Sequence, residues 1–116
     1  MKNLQELLNI IESNDISIDE YTENEKLCGY ELNAYTDGSV NEILFLDFRN
    51  KKYAPKNPAD FIAEFQSYVN DYSIDDKIDM YRNDKFYKQN FTIQESLEDF
   101  QKFKQKLSEI LNEMKS

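Results

Sequence analysis

Apolar residues recur at spacings of three and four in four stretches of the chain, and apolar and polar residues alternate in the region between the first and second of these. The first periodicity predicts amphipathic helices and the second half-buried strands. Over residues 3–13, Leu4, Leu7, Leu8 and Ile11 share one face. Asn3 followed three residues later by Glu6 makes a capping-box start, each side chain satisfying a backbone N–H that the helix leaves free. Asn14-Asp15 ends that helix. Ile16 and Ile18 alternate with Ser17 and Asp19, which predicts a short strand, and the acidic run from Asp19 to Glu25 follows as a turn or exposed edge. Residues 27–35 read as a better strand: Cys28, Tyr30, Leu32 and Ala34 point one way, Glu31 and Asn33 the other. Asp37-Gly38 tolerates the positive φ of a two-residue hairpin turn, so residues 40–48 are expected to fold back as the partner strand. The centre of that strand, Ile43-Leu44-Phe45-Leu46, is apolar on both faces and predicts a mid-sheet position beneath helices.

A basic loop over residues 49–55 leads to Asn57-Pro58, a cap followed by the residue best suited to a first helical position. Phe61, Ile62, Phe65 and Val69 make the stripe of that helix, with Tyr68 at its border. Ser73 to Asp76 is a second capping start, and Ile74, Ile78 and Tyr81 give a short helix its seam. Residues 83–90 carry no clear period, with Phe86 and Phe91 as the expected anchors. Thr92 and Glu95 form the clearest capping box and open the longest helix, to about Met114. Its stripe is Ile93, Leu97, Phe100, Leu107, Leu111 and Met114, with Lys104 in one slot and Phe103 beside it. The stripe covers only about three heptads, near the lower limit for a coiled coil, and packing onto the sheet explains it more simply. The expected architecture is one α+β domain over residues 1–116: an N-terminal helix, a small antiparallel sheet of about three strands, then two or three C-terminal helices packed on it. Tyr30, Leu32, Leu44, Leu46, Phe61, Phe65, Leu97 and Phe100 are expected in one core.

Composition agrees with a folded chain, because eight Phe and eight Tyr are too many for a segment that cannot bury itself. Charge changes the picture more. Twenty-three acids face fourteen bases, a net of −9. Such a surface repels nucleic acid and anionic membrane and favours basic partners. The plain alternative is an acidic surface that only keeps the protein soluble. The one cysteine, Cys28, excludes an internal disulfide and a multi-cysteine metal site, and its strand setting predicts a buried small hydrophobe. The first residues, Met1 to Leu8, do not read as a signal peptide, and no apolar run is long enough to span a membrane. The cytoplasm is the expected compartment.

The chain has no histidine, which removes the usual general base near neutral pH and the commonest zinc ligand. Gly29 and Gly38 are the only glycines, so there is no glycine-rich phosphate cradle. Asp75-Asp76-Lys77 has the Asp-x-Lys spacing of metal-dependent nucleases, a chemistry that also needs an acid on an adjacent strand. At a helix start the same two acids simply meet the positive end of the dipole. Calcium binding through Asp71, Asp75, Asp76 and Asp79 lacks the EF-hand spacing and its glycine. No catalytic residue, metal or cofactor is assigned, and a non-enzymatic role is expected. Two base-poor acidic clusters remain: Asp15, Asp19, Glu20, Glu23 and Glu25; and Asp71, Asp75, Asp76 and Asp79, relieved only by Lys77. Each is either a solvated face or a patch that fits a basic groove, with Tyr21, Tyr72 and Tyr81 as contact residues, since Tyr gives large contact area at low rotamer cost. The basic loop (Arg49, Lys51, Lys52, Lys56) is too short to mark a nucleic-acid site against that net charge.

The acidic balance together with the order helix, hairpin, helices resembles certain phage-encoded anti-CRISPR inhibitors of the type II effector nuclease. The segments from Gly29 to Gly38 and from Glu95 to Phe100 resemble proteins carried on mobile elements of low-GC bacteria. The first resemblance implies an acidic face that occupies the nucleic-acid channel of a nuclease, and it carries no individual residue over. The expectation is therefore an inhibitor of a host nucleic-acid-processing defence enzyme, a CRISPR or restriction nuclease, acting by acidic mimicry without touching nucleic acid itself. The alternative is a small immunity or adaptor protein that neutralises or regulates a basic protein.

Overall fold

A computed structural model of the protein describes residues 2–35, 41–49 and 55–116. The chain runs α1 (Leu4–Glu12), β1 (Ile16–Glu23), β2 (Lys26–Tyr35), β3 (Asn41–Asp47), α2 (Pro58–Asp71), α3 (Ile74–Arg82), α4 (Lys85–Asn90) and α5 (Ile93–Lys115). It is an α+β fold in which the three strands form one antiparallel sheet in the order β1-β2-β3.

Each described helix begins on a side chain that accepts from one or two of its free N–H groups. Asn3 and Glu6 form the capping box of α1, and Thr92 and Glu95 that of α5. Asn57 accepts from Ala59 N and Asp60 N, with Pro58 at the first position. Ser73 accepts from Asp76 N at α3, and Asp84 from Phe86 N and Tyr87 N at α4. Such caps are each worth about 1 kcal/mol, enough to decide where short helices start.

The first strand is longer than the alternation predicts. It continues through the acidic run to Glu23, so Asp19 to Glu23 is an exposed edge, and the turn is confined to Asn24 and Glu25. Both turn residues have positive φ, 51° and 65°, and Glu23 pairs directly with Lys26. That is the two-residue turn whose twist matches a hairpin. Asp37-Gly38 lies outside the described residues.

The inner face of the sheet is fully apolar at its centre. Ile16, Tyr30, Leu32, Ala34, Leu44 and Leu46 are buried against the helices. Phe61 of α2 meets this face, its ring 5.6 Å from Tyr30 and stacked at 6.5 Å on Phe48. The last helix, α5, packs against α1, α2 and α3. Phe100 and Phe103 reach Tyr81 at 4.8 Å and Tyr72 at 5.7 Å.

Several expectations change. The apolar centre of β3 does not sit mid-sheet: β2 holds the middle and β3 is an edge strand. Among the described residues helices cover only one face, so Leu44 and Leu46 are buried while Ile43 and Phe45 stay exposed. Leu97 is only half-buried and Ile93 exposed, because the first turns of α5 overshoot the core. In α4 the anchor is Tyr87, stacked on Tyr81 at 3.9 Å, and Phe86 points to solvent. Cys28 is half-buried. Among the described residues no helix is long and apolar enough to cross a membrane.

Candidate binding surface

The structure treats the two acidic clusters differently. The first is spread out. Asp15 sits in the α1–β1 connection with φ 63°, and Glu25 lies in the hairpin turn at the far end of β1. At about 3.3 Å per residue the strand between them is roughly 26 Å long. Within the strand Asp19 and Glu20 point to opposite faces, as alternation requires. The second cluster lies along one helix junction: Asp71 ends α2, Asp75 and Asp76 occupy the first turn of α3, Asp79 lies a turn further on, and Asp71 and Asp76 share the lining of one groove. All nine acids are exposed. Among the described residues, Glu23 and Asp79 of these meet a basic side chain, Arg49 at 3.0 Å and Arg82 at 3.7 Å. Among the described residues no group of three potential ligands comes together to hold a metal ion.

The three tyrosines separate as well. Tyr21 is half-exposed on the sheet's open face. Tyr72 and Tyr81 are 4% and 9% exposed, so their rings belong to the core and are not free for surface contact. Burial raises the pKa of both, as it does for Tyr68, and keeps the phenols protonated at physiological pH.

On the open face, Tyr21 and Phe45 meet edge to face at 5.1 Å across the middle strand. Gly29 on that strand is opposite Tyr21 on one side and Asp47 on the other, while Phe45 is opposite Glu31. Arg49 completes the cluster. Its guanidinium lies 5.2 Å from the Tyr21 ring and 5.6 Å from the Phe45 ring. It grips Asp47 through two N–H donors, at 3.0 and 2.8 Å, and donates to Glu23 at 3.0 Å. The Tyr21 hydroxyl also donates to Glu23, at 2.7 Å. That bond and the Arg49 contact hold the Glu23 carboxyl below its usual range, and the same bond raises the Tyr21 phenol. Arg49 is therefore tied to the protein's own acids.

Gly29 carries a prediction. A Cβ there would lie 2.3 Å from the carbonyl oxygen of Leu46, a backbone atom that cannot rotate away. Gly29→Ala should therefore force β2 and β3 apart and cost about 1–3 kcal/mol, the usual range for overpacking. Urea denaturation checks it; an unchanged midpoint would mean that the strands do not approach this closely.

Between β3 and the α2–α3 corner lies a groove of about 310 Å³. Phe45 and Met80 stand at its rim, Tyr68 and Tyr72 form its floor, and Asp71 and Asp76 line it. Lys77 crosses it to Glu42 on β3, a pair at 2.8 Å in which the acid side chain is 7% exposed. The Lys77 ammonium also sits 5.5 Å from the centre of the Tyr72 ring. The Tyr72 hydroxyl, buried in this groove, has no hydrogen-bond partner. The residues sequence reasoning missed are those of the open face and groove: Ile43, Phe45, Met80 and the Glu42–Lys77 pair. The doubly apolar pattern of β3 signalled the first two, since it fits an uncovered edge strand as well as a central one.

No protein-family model, curated protein or solved structure matches the chain.

Proposed function

We propose that this is a non-enzymatic binding protein that docks an acidic surface on a basic protein partner. In the more specific form, the partner is a host nucleic-acid-processing defence enzyme of the CRISPR or restriction type, and the acids stand where phosphates would. The observation that carries this reading is the state of the acids: nine cluster carboxylates are exposed, and among the described residues only Glu23 and Asp79 of them meet a basic side chain. Unpaired surface acids of one sign focus a field that steers a basic partner. The α2–α3 corner, where Asp71 and Asp76 line one groove with exposed Met80, is the stronger of the two patches.

The test uses the partner recovered from host extract on the immobilised protein and identified by mass. A nuclease whose activity the protein inhibits supports the specific form; a toxin encoded beside it supports the immunity alternative. Association should slow by about tenfold or more from low to physiological salt, because steering acts mainly on the on-rate and is screened over roughly 8 Å. Replacing Asp71, Asp76 and Asp79 with Lys should weaken binding while the circular dichroism spectrum stays unchanged, and the partner's nucleic acid should compete. An on-rate indifferent to salt, with binding untouched by that triple and by reversal of Asp19, Glu20 and Glu25, would sink the acidic-surface reading. Magnesium-dependent hydrolysis of DNA or RNA that Asp75→Ala abolishes would overturn the non-enzymatic one.

A further inference from the structure

The two edges of the sheet are not equivalent. β1 is guarded by Asp19, Glu20 and Glu23 and by an irregularity between Tyr21 and Thr22. Charges and bulges of this kind discourage a further strand from pairing. At the centre of β3 there are four apolar residues and no guard. Among the described residues no strand pairs with its outer edge, whose groups can be read from the register. Phe48 N–H donates to the Cys28 carbonyl at 2.9 Å, which makes that pair a hydrogen-bonded one. Antiparallel pairs alternate, so Leu46, Leu44 and Glu42 also bond towards β2. The N–H and C=O groups of Ile43 and Phe45 then point outward, and the groove opens beside Phe45.

The groove's lining is net negative. Lys77 holds its ammonium over the Tyr72 ring and is balanced by Glu42, and Asp71 and Asp76 add negative charge beyond that pair. The Tyr72 hydroxyl is buried, neutral and unpartnered, so it can accept a hydrogen bond from an entering N–H donor. A buried polar group without a partner is uncommon, and a ligand that supplies one gains affinity.

Resting on the acidic-surface reading above, we propose that β3 accepts an extended Lys- or Arg-bearing segment of the protein partner as a fourth strand. The segment's backbone pairs with Ile43 and Phe45, and one of its basic side chains enters the groove onto Tyr72, Asp71 and Asp76. Backbone pairing gives affinity in this mode and side-chain pockets give selectivity. A second copy of the chain is the poorer occupant. β3 carries Glu42 and Asp47 and no basic residue to offer the groove, and two copies each of net charge −9 repel.

The test uses a short synthetic peptide alternating Lys and Val, and the same peptide with Glu in place of Lys, titrated into the full-length protein by amide NMR. The Lys peptide should saturate and slow hydrogen exchange at Ile43 and Phe45, and the Glu peptide should not. Ile43→Pro removes an outward N–H at an edge, where proline is tolerated, and should weaken the Lys peptide by about tenfold or more. Ile43→Lys should do the same by repulsion and serves if the proline variant unfolds. Tyr72→Phe should weaken it by about 3- to 10-fold, the range for one hydrogen bond. A Lys peptide that protects β1 or only the face of α3 overturns the β3 assignment and leaves the acidic-surface reading standing. No binding at all also overturns it, whereas the salt and charge-reversal measurements decide the broader reading separately. Sedimentation showing a dimer that Ile43→Pro dissociates would make a second copy the occupant and overturn the proposal.

Discussion

Phe100→Ala is expected to lower the unfolding free energy by about 3–5 kcal/mol, while Leu97→Ala, one turn earlier on the same helix, costs less than about 2 kcal/mol. Phe100 is fully buried and meets Tyr81 edge to face at 4.8 Å. Its removal leaves a cavity between α3 and α5 that neighbouring rings cannot fill, because Tyr81 is already stacked on Tyr87. The cost therefore contains both the lost transfer energy and the void. Leu97 packs against the core from its margin and remains half-exposed, so its truncation leaves a dent that water can enter. Urea denaturation of the two variants, with equal slopes, gives the comparison directly. Equal losses would mean that α5 is rotated about its axis relative to this packing.

The packing of α5 shows how far the sequence could be read. The four-three stripe identifies the helix and most of its buried positions, and Phe100, Leu107, Leu111 and Met114 are all buried. Periodicity has no knowledge of where the core ends, so Ile93 and Leu97 read as equals of Phe100 until the packing shows that they lie at its border. Caps were legible for a local reason: Asn3, Asn57, Ser73 and Thr92 bond to backbone groups two or three residues away, and no tertiary information is needed. The turn at Asn24-Glu25 was not legible, because glutamate at φ 65° carries none of the steric preference that marks an Asp-Gly pair. The extent of β1 was hidden for a related reason. Beyond Ile18 its side chains face solvent on both sides of an edge, and backbone pairing to β2 alone extends it.

The candidate site was legible as charge and not as shape. Nothing in the spacing of the acids separates the dispersed cluster on β1 from the one at the α2–α3 corner, since that difference arises from a strand in one case and a helix junction in the other. The tyrosines show the same limit. Tyr21, Tyr72 and Tyr81 are alike in sequence, yet only Tyr21 stays at the surface. Tyr72 nonetheless lines the groove, a role that depends on β3 lying at the sheet's edge.

Lys77→Met is expected to destabilise the fold by about 3–5 kcal/mol, and the double variant Glu42→Leu with Lys77→Met to recover all or most of that loss. Glu42 sits on the inner face of β3 with its side chain 7% exposed, and Lys77 reaches it from α3 at 2.8 Å with 24% exposure. Removing the lysine leaves a carboxylate in a nearly dry setting without its cation, and the solvation it gave up on folding is no longer repaid. Removing the acid is milder: Glu42→Leu alone leaves an ammonium that is already a quarter exposed and whose flexible stem can carry it out to water beside Asp76. The order of stability should be wild type close to the double variant, then Glu42→Leu, then Lys77→Met. Chemical denaturation of all four proteins closes the cycle, and a coupling of about 2 kcal/mol or more between the two positions is expected from contact at this distance. If Lys77→Met were as stable as wild type, Glu42 would have to reach solvent by another route, and α3 would not be anchored to β3 through this pair. A double variant more stable than wild type would show that the pair costs stability, which leaves the placing of a cation over Tyr72 in the groove as the feature it maintains.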